Sequence, residues 1–232
     1  AARRAGLAGV LFDLDGTLLD TAPDLVGALN HLRVAEGFEP VAVSDYRRFV
    51  SRGALGLIRA GLPSRGPKVE EERRTRFLDW YARHLFDDSR PFPGIEALLE
   101  TIETRGLPWG VVTNKPTFLT EPLLERIGWQ RRAAVVVCGD TLAVSKPDPA
   151  PVRFASDRIG VPVDRAAMVG DDPRDLDAAE AAGALPVLAA YGYGAEEVLA
   201  SDRAVVARID QPGDLLTLLD GREEAASTAS GH

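Results

Sequence analysis

Disulfide chemistry is the first thing this sequence rules out, because its 232 residues include one cysteine, Cys138, and no intramolecular bridge can form. A single thiol suits a reducing compartment. No apolar run approaches the ~18 residues of a membrane span, and the opening residues lack the apolar core of a secretory leader. A cytoplasmic location and no membrane partner are therefore expected. Basic excess is missing too: 27 Lys and Arg stand against 35 Asp and Glu, a net charge of −8. With no basic face evident, a nucleic-acid partner is not expected. The Gly-x-Ser-x-Gly elbow of serine hydrolases and the Gly-rich Lys-Ser/Thr loop of nucleotide-binding enzymes are both absent, which sets those two classes aside. Of three histidines, His31 and His84 lack partners at metal-ligand spacing and read as surface or packing residues, and His232 sits in the tail.

Short β-rich runs do recur. Val10–Phe12, Pro108–Thr113, Ala134–Cys138, Ala166–Val169 and Leu185–Ala189 read as strands, with Ala204–Arg208 a weaker sixth. Between them lie amphipathic stretches, Gly94–Arg105, Phe118–Gly128, Pro149–Gly160 and Arg174–Gly183. Strands alternating with helices of 10–15 residues predict an α/β fold with a parallel sheet covered on both faces. Ligands of such sheets sit at the carboxyl ends of the strands.

Residues 21–90 differ. Thr21 is placed to cap a helix that has Pro23 in its first turn, Ser44 to cap a second, and Pro67–Phe86 reads as a third. The block has no convincing strand and resembles an all-helical cap inserted into an α/β core. The expected division is core 1–20 and 91–220, helical cap 21–90, and a polar, disordered tail 221–232.

Four motifs close strands. In Val10-Leu11-Phe12-Asp13-Leu14-Asp15-Gly16-Thr17-Leu18, two carboxylates spaced i and i+2 point to one side while the chain stays extended, before Gly16 turns it. One can attack or bind metal while the other shuttles a proton; the bland alternative is a strand end decorated with solubilising acids. Thr113-Asn114-Lys115 offers donors to a phosphate oxygen, although Thr-Asn is also an ordinary turn. Lys146, in Ser145-Lys146-Pro147-Asp148-Pro149, supplies a point charge from a stiffened loop, or is a solvated loop lysine. Gly170-Asp171-Asp172-Pro173-Arg174-Asp175 delivers hard oxygen ligands of the kind Mg²⁺ takes, or helix caps. Their shared position at strand ends, in one order, favours the functional readings. An acidic protein that accepts an anion must hold local cations there.

These motifs resemble those of haloacid dehalogenase-type phosphatases from Gly9 to about Leu219, with the helical insert in the place of that superfamily's cap. The resemblance is to the phosphoglycolate phosphatase branch, which includes N-acetylmuramic acid 6-phosphate phosphatases. Asp20-Thr21-Ala22-Pro23-Asp24-Leu25 and Thr113-Asn114-Lys115-Pro116 occur in both groups. Gly170-Asp171-Asp172-Pro173-Arg174-Asp175, Tyr191-Gly192-Tyr193 and Val50-Ser51-Arg52-Gly53-Ala54 look more like the second. The chain departs from phosphoglycolate phosphatases at Asp172, where they carry Ser, and at Val50-Ser51-Arg52-Gly53, where they carry Val-Gly-x-Gly.

The resemblance implies a Rossmann-like core and a Mg²⁺-dependent phosphomonoesterase acting on a small phosphorylated metabolite. It implies Asp13 as nucleophile, Asp15 as general acid and base, and Thr113 and Lys146 holding phosphoryl oxygens. Asp13, Asp171 and the Asp15 carbonyl would hold the metal, with Gly16, Thr17, Asp172 and Asp175 in support; Asp175 would orient Lys146 or a metal-bound water. Asn114, Lys115, Arg52 and Gly53 are the expected substrate contacts. Rival readings are a phosphomutase of the same fold, a dehalogenase, against which Asp15 argues, and a binding protein, against which the complete acid and lysine set argues.

Overall fold

A computed structural model describes residues 6–201, 205 and 207–221. The chain opens with β1 (Gly9–Phe12) and β2 (Leu19–Asp20), then α1 (Ala22–Ala35), α2 (Val43–Tyr46), α3 (Gly53–Gly61) and α4 (Pro67–Arg83). It continues through β3 (Arg90–Pro91), α5 (Ile95–Thr104), β4 (Trp109–Val112), α6 (Thr117–Ile127), β5 (Val135–Val137) and α7 (Ala150–Arg158). The remainder is β6 (Ala166–Gly170), α8 (Pro173–Ala182), β7 (Leu185–Ala189), α9 (Ala195–Leu199), β8 (Ala207–Ile209) and α10 (Leu215–Leu219).

Six strands form one parallel sheet in the order β5-β4-β1-β6-β7-β8. Every residue of β1, β4 and β6 is buried, as expected for a sheet covered on both faces. Side chains alternate between the faces. Val10 and Phe12 pack with Ile95, Leu99, Trp109 and Trp129 on one, while Leu11 joins Val112, Val152, Met168 and Ala179 on the other. The five main strands and the four intervening helices thus follow the sequence pattern. The sixth strand occupies Ala207–Ile209; Ala204 and Val206 of the expected Ala204–Arg208 lie outside the described residues, as do 222–232 of the expected tail, His232 included.

Helices α1, α3 and α4 enclose a second hydrophobic cluster built on Leu29, Leu32, Leu57, Ile58, Phe77 and Tyr81. The chain leaves and re-enters the sheet domain through an antiparallel ribbon that pairs Leu19 with Pro91 and Asp20 with Arg90. Buried Asp24 ties the two passages together, accepting the N–H of Asp88 at 2.8 Å and of Ser89 at 3.0 Å.

Two expected caps are corrected. Thr21 occupies the N-cap position of α1, but its hydroxyl donates to Asp15 Oδ1 at 2.6 Å rather than closing the helix. Ala42 precedes α2, so Ser44 lies inside that helix and its hydroxyl donates to Asp45 at 3.1 Å. The run Ser51-Arg52-Gly53-Ala54 lies at a junction between two helical segments. A 3₁₀ turn over Arg47–Arg52 runs into α3, and Gly53 joins them at a φ of +69° that side chains disfavour. Among the described residues, no helix is long and apolar enough to cross a membrane.

Candidate active site

Parallel pairing places Asp13, one residue beyond β1, between the ends of β4 and β6, which Thr113 and Asp171 directly follow. The Asp13 N–H donates to Val169 O at 2.9 Å, which extends the ladder by one residue. From the adjacent loop, the Lys146 ammonium reaches Asp13 Oδ1 at 2.8 Å, Asp175 Oδ1 at 2.6 Å and Val112 O at 2.5 Å. Asn114 fixes that loop: its amide oxygen accepts the Lys146 N–H at 3.0 Å, and its amide N–H donates to the Lys146 carbonyl at 2.8 Å. Asn114, expected against substrate, therefore has its side chain engaged in holding Lys146.

Asp171 is wholly buried, with Thr17 Oγ1 donating to Oδ1 at 3.0 Å and the Gly194 N–H to Oδ2 at 2.9 Å. Gly16 turns at φ +92°, and a methyl group there would sit 2.6 Å from Asp171 Oδ2. A methyl group at Gly192 would likewise sit 2.2 Å from Asp171 Cβ, and the Tyr191 hydroxyl donates to Thr17 O at 3.1 Å. Asp172 splits from its neighbour. It caps α8, accepting the Arg174 N–H at 3.0 Å, while its own N–H donates to Asp175 Oδ2 at 3.1 Å. The capping reading thus applies to Asp172 and the clustered reading to Asp171.

Carboxylate oxygens of Asp13, Asp171 and Asp175 lie within 4.8 Å of one another, all buried. Among the described residues, Lys146 is the one cation paired with this group. Burial, helped by Asp175 and Asp15, pushes the Asp13 carboxyl up to about 7 despite Lys146. Burial, then Asp13 and Asp175, drives Asp171 well above the usual carboxylate range. Burial disfavours the charged amine of Lys146, but the facing carboxylates outweigh it and hold the ammonium above the lysine range. Two raised carboxyls beside one lysine form a donor set short of positive charge. Hard, crowded oxygens of this kind fit a small divalent cation.

Asp15 faces another way. Its carboxylate accepts from Thr21 and from the Lys115 ammonium at 3.0 and 3.2 Å, and Lys115 also donates to the Tyr81 hydroxyl of α4 at 2.8 Å. Lys115, expected on the substrate, shares a cavity wall with Asp13, is 8% exposed and is bonded to the second carboxylate. Burial raises the Tyr81 hydroxyl to about 12, so it stays protonated at neutral pH. Thr113 is buried at the floor, and its hydroxyl oxygen accepts the Lys115 N–H at 3.1 Å.

Asp13, Asp15, Thr113, Asn114, Lys115 and Lys146 line a cavity of about 330 Å³ whose wall also includes Val50, Ser51, Arg52, Gly53, Phe77 and Leu78. Arg174 spans the two halves: it pairs with Asp172 at 2.7 Å and donates to the Ser51 carbonyl. Arg52 is half exposed, 3.5 Å from Glu197 and over the Phe49 ring. His31 and His84 stay outside, stacked against Trp80 with centroids 5.8 and 4.0 Å away, and His84 Nδ1 lies 2.9 Å from Asp87. Cys138 is buried beyond β5.

Residues 7–183 match the family model of haloacid dehalogenase-like hydrolases. This chain belongs to that family. It is 41% identical over 220 residues to an N-acetylmuramic acid 6-phosphate phosphatase of Pseudomonas aeruginosa, covering 94% of this chain and 97% of the relative. A phosphoglycolate phosphatase of Xylella fastidiosa is 42% identical over 188 residues, covering 81% and 82% respectively. Among solved structures, a phosphoglycolate phosphatase assigned by prediction in Haemophilus somnus superposes with a TM-score of 0.78 at 25% identity, covering 91% of this chain and 97% of its own.

The strand-end residues of this haloacid dehalogenase-like hydrolase were all singled out by sequence. Tyr81, Arg74, Arg174, Gly192 and Gly194 were not given roles. Tyr191-Gly192-Tyr193 stands out in the sequence only as a likeness, and the close approach of Gly192 to Asp171 supplies its physical reason.

Proposed function

We propose that this hydrolase is a Mg²⁺-dependent phosphomonoesterase that works through an aspartyl-phosphate on Asp13. One observation carries the reading: the Asp13 carboxylate, 2.8 Å from Lys146, shares a buried cluster with Asp171 at the floor of a cavity whose wall also holds Asp15. Asp13 attacks phosphorus and the bond to the leaving oxygen breaks, while Asp15 delivers a proton to the departing alkoxide. Asp15 then takes a proton from water as it attacks the acyl phosphate, which releases inorganic phosphate and restores Asp13. Thr113 and Lys146 hold phosphoryl oxygens, Asp175 and Asn114 keep Lys146 in place, and Lys115 with Thr21 orients Asp15.

Asp13, Asp171 and the Asp15 carbonyl would hold Mg²⁺, which supplies positive charge against the phosphoryl oxygens. Gly16 and Thr17 support Asp171, and Asp172 supports the start of α8. Two charges ~4 Å apart interact by about 4 kcal/mol at an effective dielectric of 20, so an anion entering among carboxylates needs these cations. We place the α/β core at 1–20 and 91–220 and the helical cap at 21–90, with Arg52 and Gly53 on its substrate side. The names of the two relatives support 2-phosphoglycolate or N-acetylmuramic acid 6-phosphate as substrate. The single cysteine supports a cytoplasmic setting.

The test is phosphate release from a panel of both compounds and common sugar phosphates, before and after EDTA. Mg²⁺ should restore activity and Ca²⁺ should not, because the looser coordination of Ca²⁺ misplaces in-line attack. Undiminished turnover by rigorously metal-free protein refutes the metal assignment.

A further inference from the structure

The charges on the cavity wall do not cancel. Each wall acid is matched from within the wall: Asp13 and Asp175 by Lys146, Asp15 by Lys115, and Asp172 by Arg174. Two wall cations are left over, Arg52 and Arg74. Their acid partners, Glu197 at 3.5 Å and Glu71 at 3.1 Å, lie outside the cavity lining, and both glutamate side chains are 62% exposed. Such exposed pairs are weak and yield easily to a better anion. Beside Arg52 is a second signal: Ser51 Oγ is the buried side-chain polar atom with no hydrogen-bond partner among the described residues. A buried orphan hydroxyl in a cavity wall calls for a ligand.

Helix α4 sets the distance. Arg74, Phe77, Leu78 and Tyr81 all line the cavity, spaced as one face of a helix. Tyr81 marks the chemical end, since its hydroxyl accepts from the lysine bonded to Asp15. Arg74 is seven residues earlier, which at 1.5 Å per residue is about 10 Å along the axis. The wall between is apolar, formed by Phe77 and Leu78 with Leu25, Leu55 and Leu119.

We propose that Arg74, with Arg52 and Ser51, forms a subsite for a second anionic group on the substrate. An apolar span separates it from the phosphoryl end, and it selects a carboxylated phosphomonoester of sugar size over 2-phosphoglycolate. The proposal rests on the phosphatase reading and narrows its substrate. In a two-carbon phosphocarboxylate the two anions are only a few bonds of about 1.5 Å apart, too short to bridge the span. The cavity volume of about 330 Å³ falls within the roughly 300–1,000 Å³ of sites that enclose larger organic ligands. An arginine pair suits a carboxylate because the guanidinium fork binds both oxygens.

The deciding measurement compares two substrates on one enzyme preparation, so partial misfolding cancels. N-acetylmuramic acid 6-phosphate and N-acetylglucosamine 6-phosphate differ by the ether-linked carboxylate. For the natural chain, kcat/KM should favour the carboxylated sugar by roughly tenfold or more, and 2-phosphoglycolate should be the poorer substrate. Arg74→Ala should bring the ratio close to one, mainly through KM, with Arg74→Lys keeping part of it. The proposal is overturned if the ratio is near one in the natural chain, if it survives Arg74→Ala combined with Arg52→Ala, or if 2-phosphoglycolate is the best substrate. Failure to hydrolyse any phosphomonoester, p-nitrophenyl phosphate included, overturns the phosphatase reading and this subsite with it.

Discussion

Replacing Asp13 by asparagine should abolish turnover and, at neutral pH without metal, stabilise the fold. The carboxyl is 12% exposed and titrates near 7 in the folded protein against an ordinary value of 3.8. Because burial raises it, the folded state binds the proton more tightly than the unfolded chain. Stability from this group is therefore fully present below pH 3.8 and is lost as pH rises through 7. At 1.36 kcal/mol per unit, the shift corresponds to about 4 kcal/mol as an upper bound. Asparagine never ionises, which removes that penalty, and the value near 7 already includes the opposing pull of Lys146. Asp175 remains to pair with the lysine, so the net gain should be about 2–4 kcal/mol, or roughly 10 °C in Tm for a chain of this length.

Denaturant unfolding of chelated protein at pH 5 and pH 8 measures this directly. The natural chain should lose more stability between the two pH values than Asp13→Asn does, and Mg²⁺ should restore it at pH 8. Some pH dependence should persist in the variant, since burial also raises Asp171. If Asp13→Asn is the less stable protein at pH 8 without metal, the Lys146 pair outweighs burial and the reasoning fails. Retained turnover, contamination excluded, removes Asp13 as nucleophile.

Three further substitutions separate roles within the site. Asp171→Asn should raise the Mg²⁺ needed for half-maximal activity by roughly tenfold or more, whereas Asp172→Ser should change it little, because serine also caps a helix, at a cost of about 1 kcal/mol or less; titrating activity with Mg²⁺ compares them. Lys115→Met removes the ammonium from Asp15 and should lower kcat on an alkyl phosphate by about tenfold, with a smaller loss on p-nitrophenyl phosphate, whose leaving group needs less help from an acid. Equal losses on both would make Lys115 a structural residue.

Why the core was legible follows from its geometry. A parallel sheet buried on both faces demands continuous apolar runs, and Val10–Phe12, Trp109–Val112 and Ala166–Gly170 supply them. The chemistry sits one or two residues past such runs, so finding the strands also locates Asp13, Thr113 and Asp171. Roles were harder to read than places. Asn114 and Lys115 follow a strand end in the expected way, yet the first grips the Lys146 loop and the second grips Asp15. Each partner lies 32 or 100 residues away, and no local pattern encodes it.

The helical block shows the same limit more sharply. Thr21 carries a sound capping signal, but a carboxylate brought near by the turn at Gly16 competes for its hydroxyl, and the 2.6 Å bond to Asp15 wins. A capping bond to a neutral N–H is weaker than one to a carboxylate, so tertiary charge overrides local preference. Tyr81 has no local mark at all. It follows Trp80 within an amphipathic helix and reads as core, which it also is, packing with Leu29 and Phe77. Its hydroxyl meets Lys115 across the junction, and Arg174 reaches the Ser51 carbonyl across the same junction. Residues that join two bodies answer to the surface of the other body, not to their neighbours in sequence. The contacts that seat the helical block over Asp13 are therefore the ones that motif reading misses and a structure supplies.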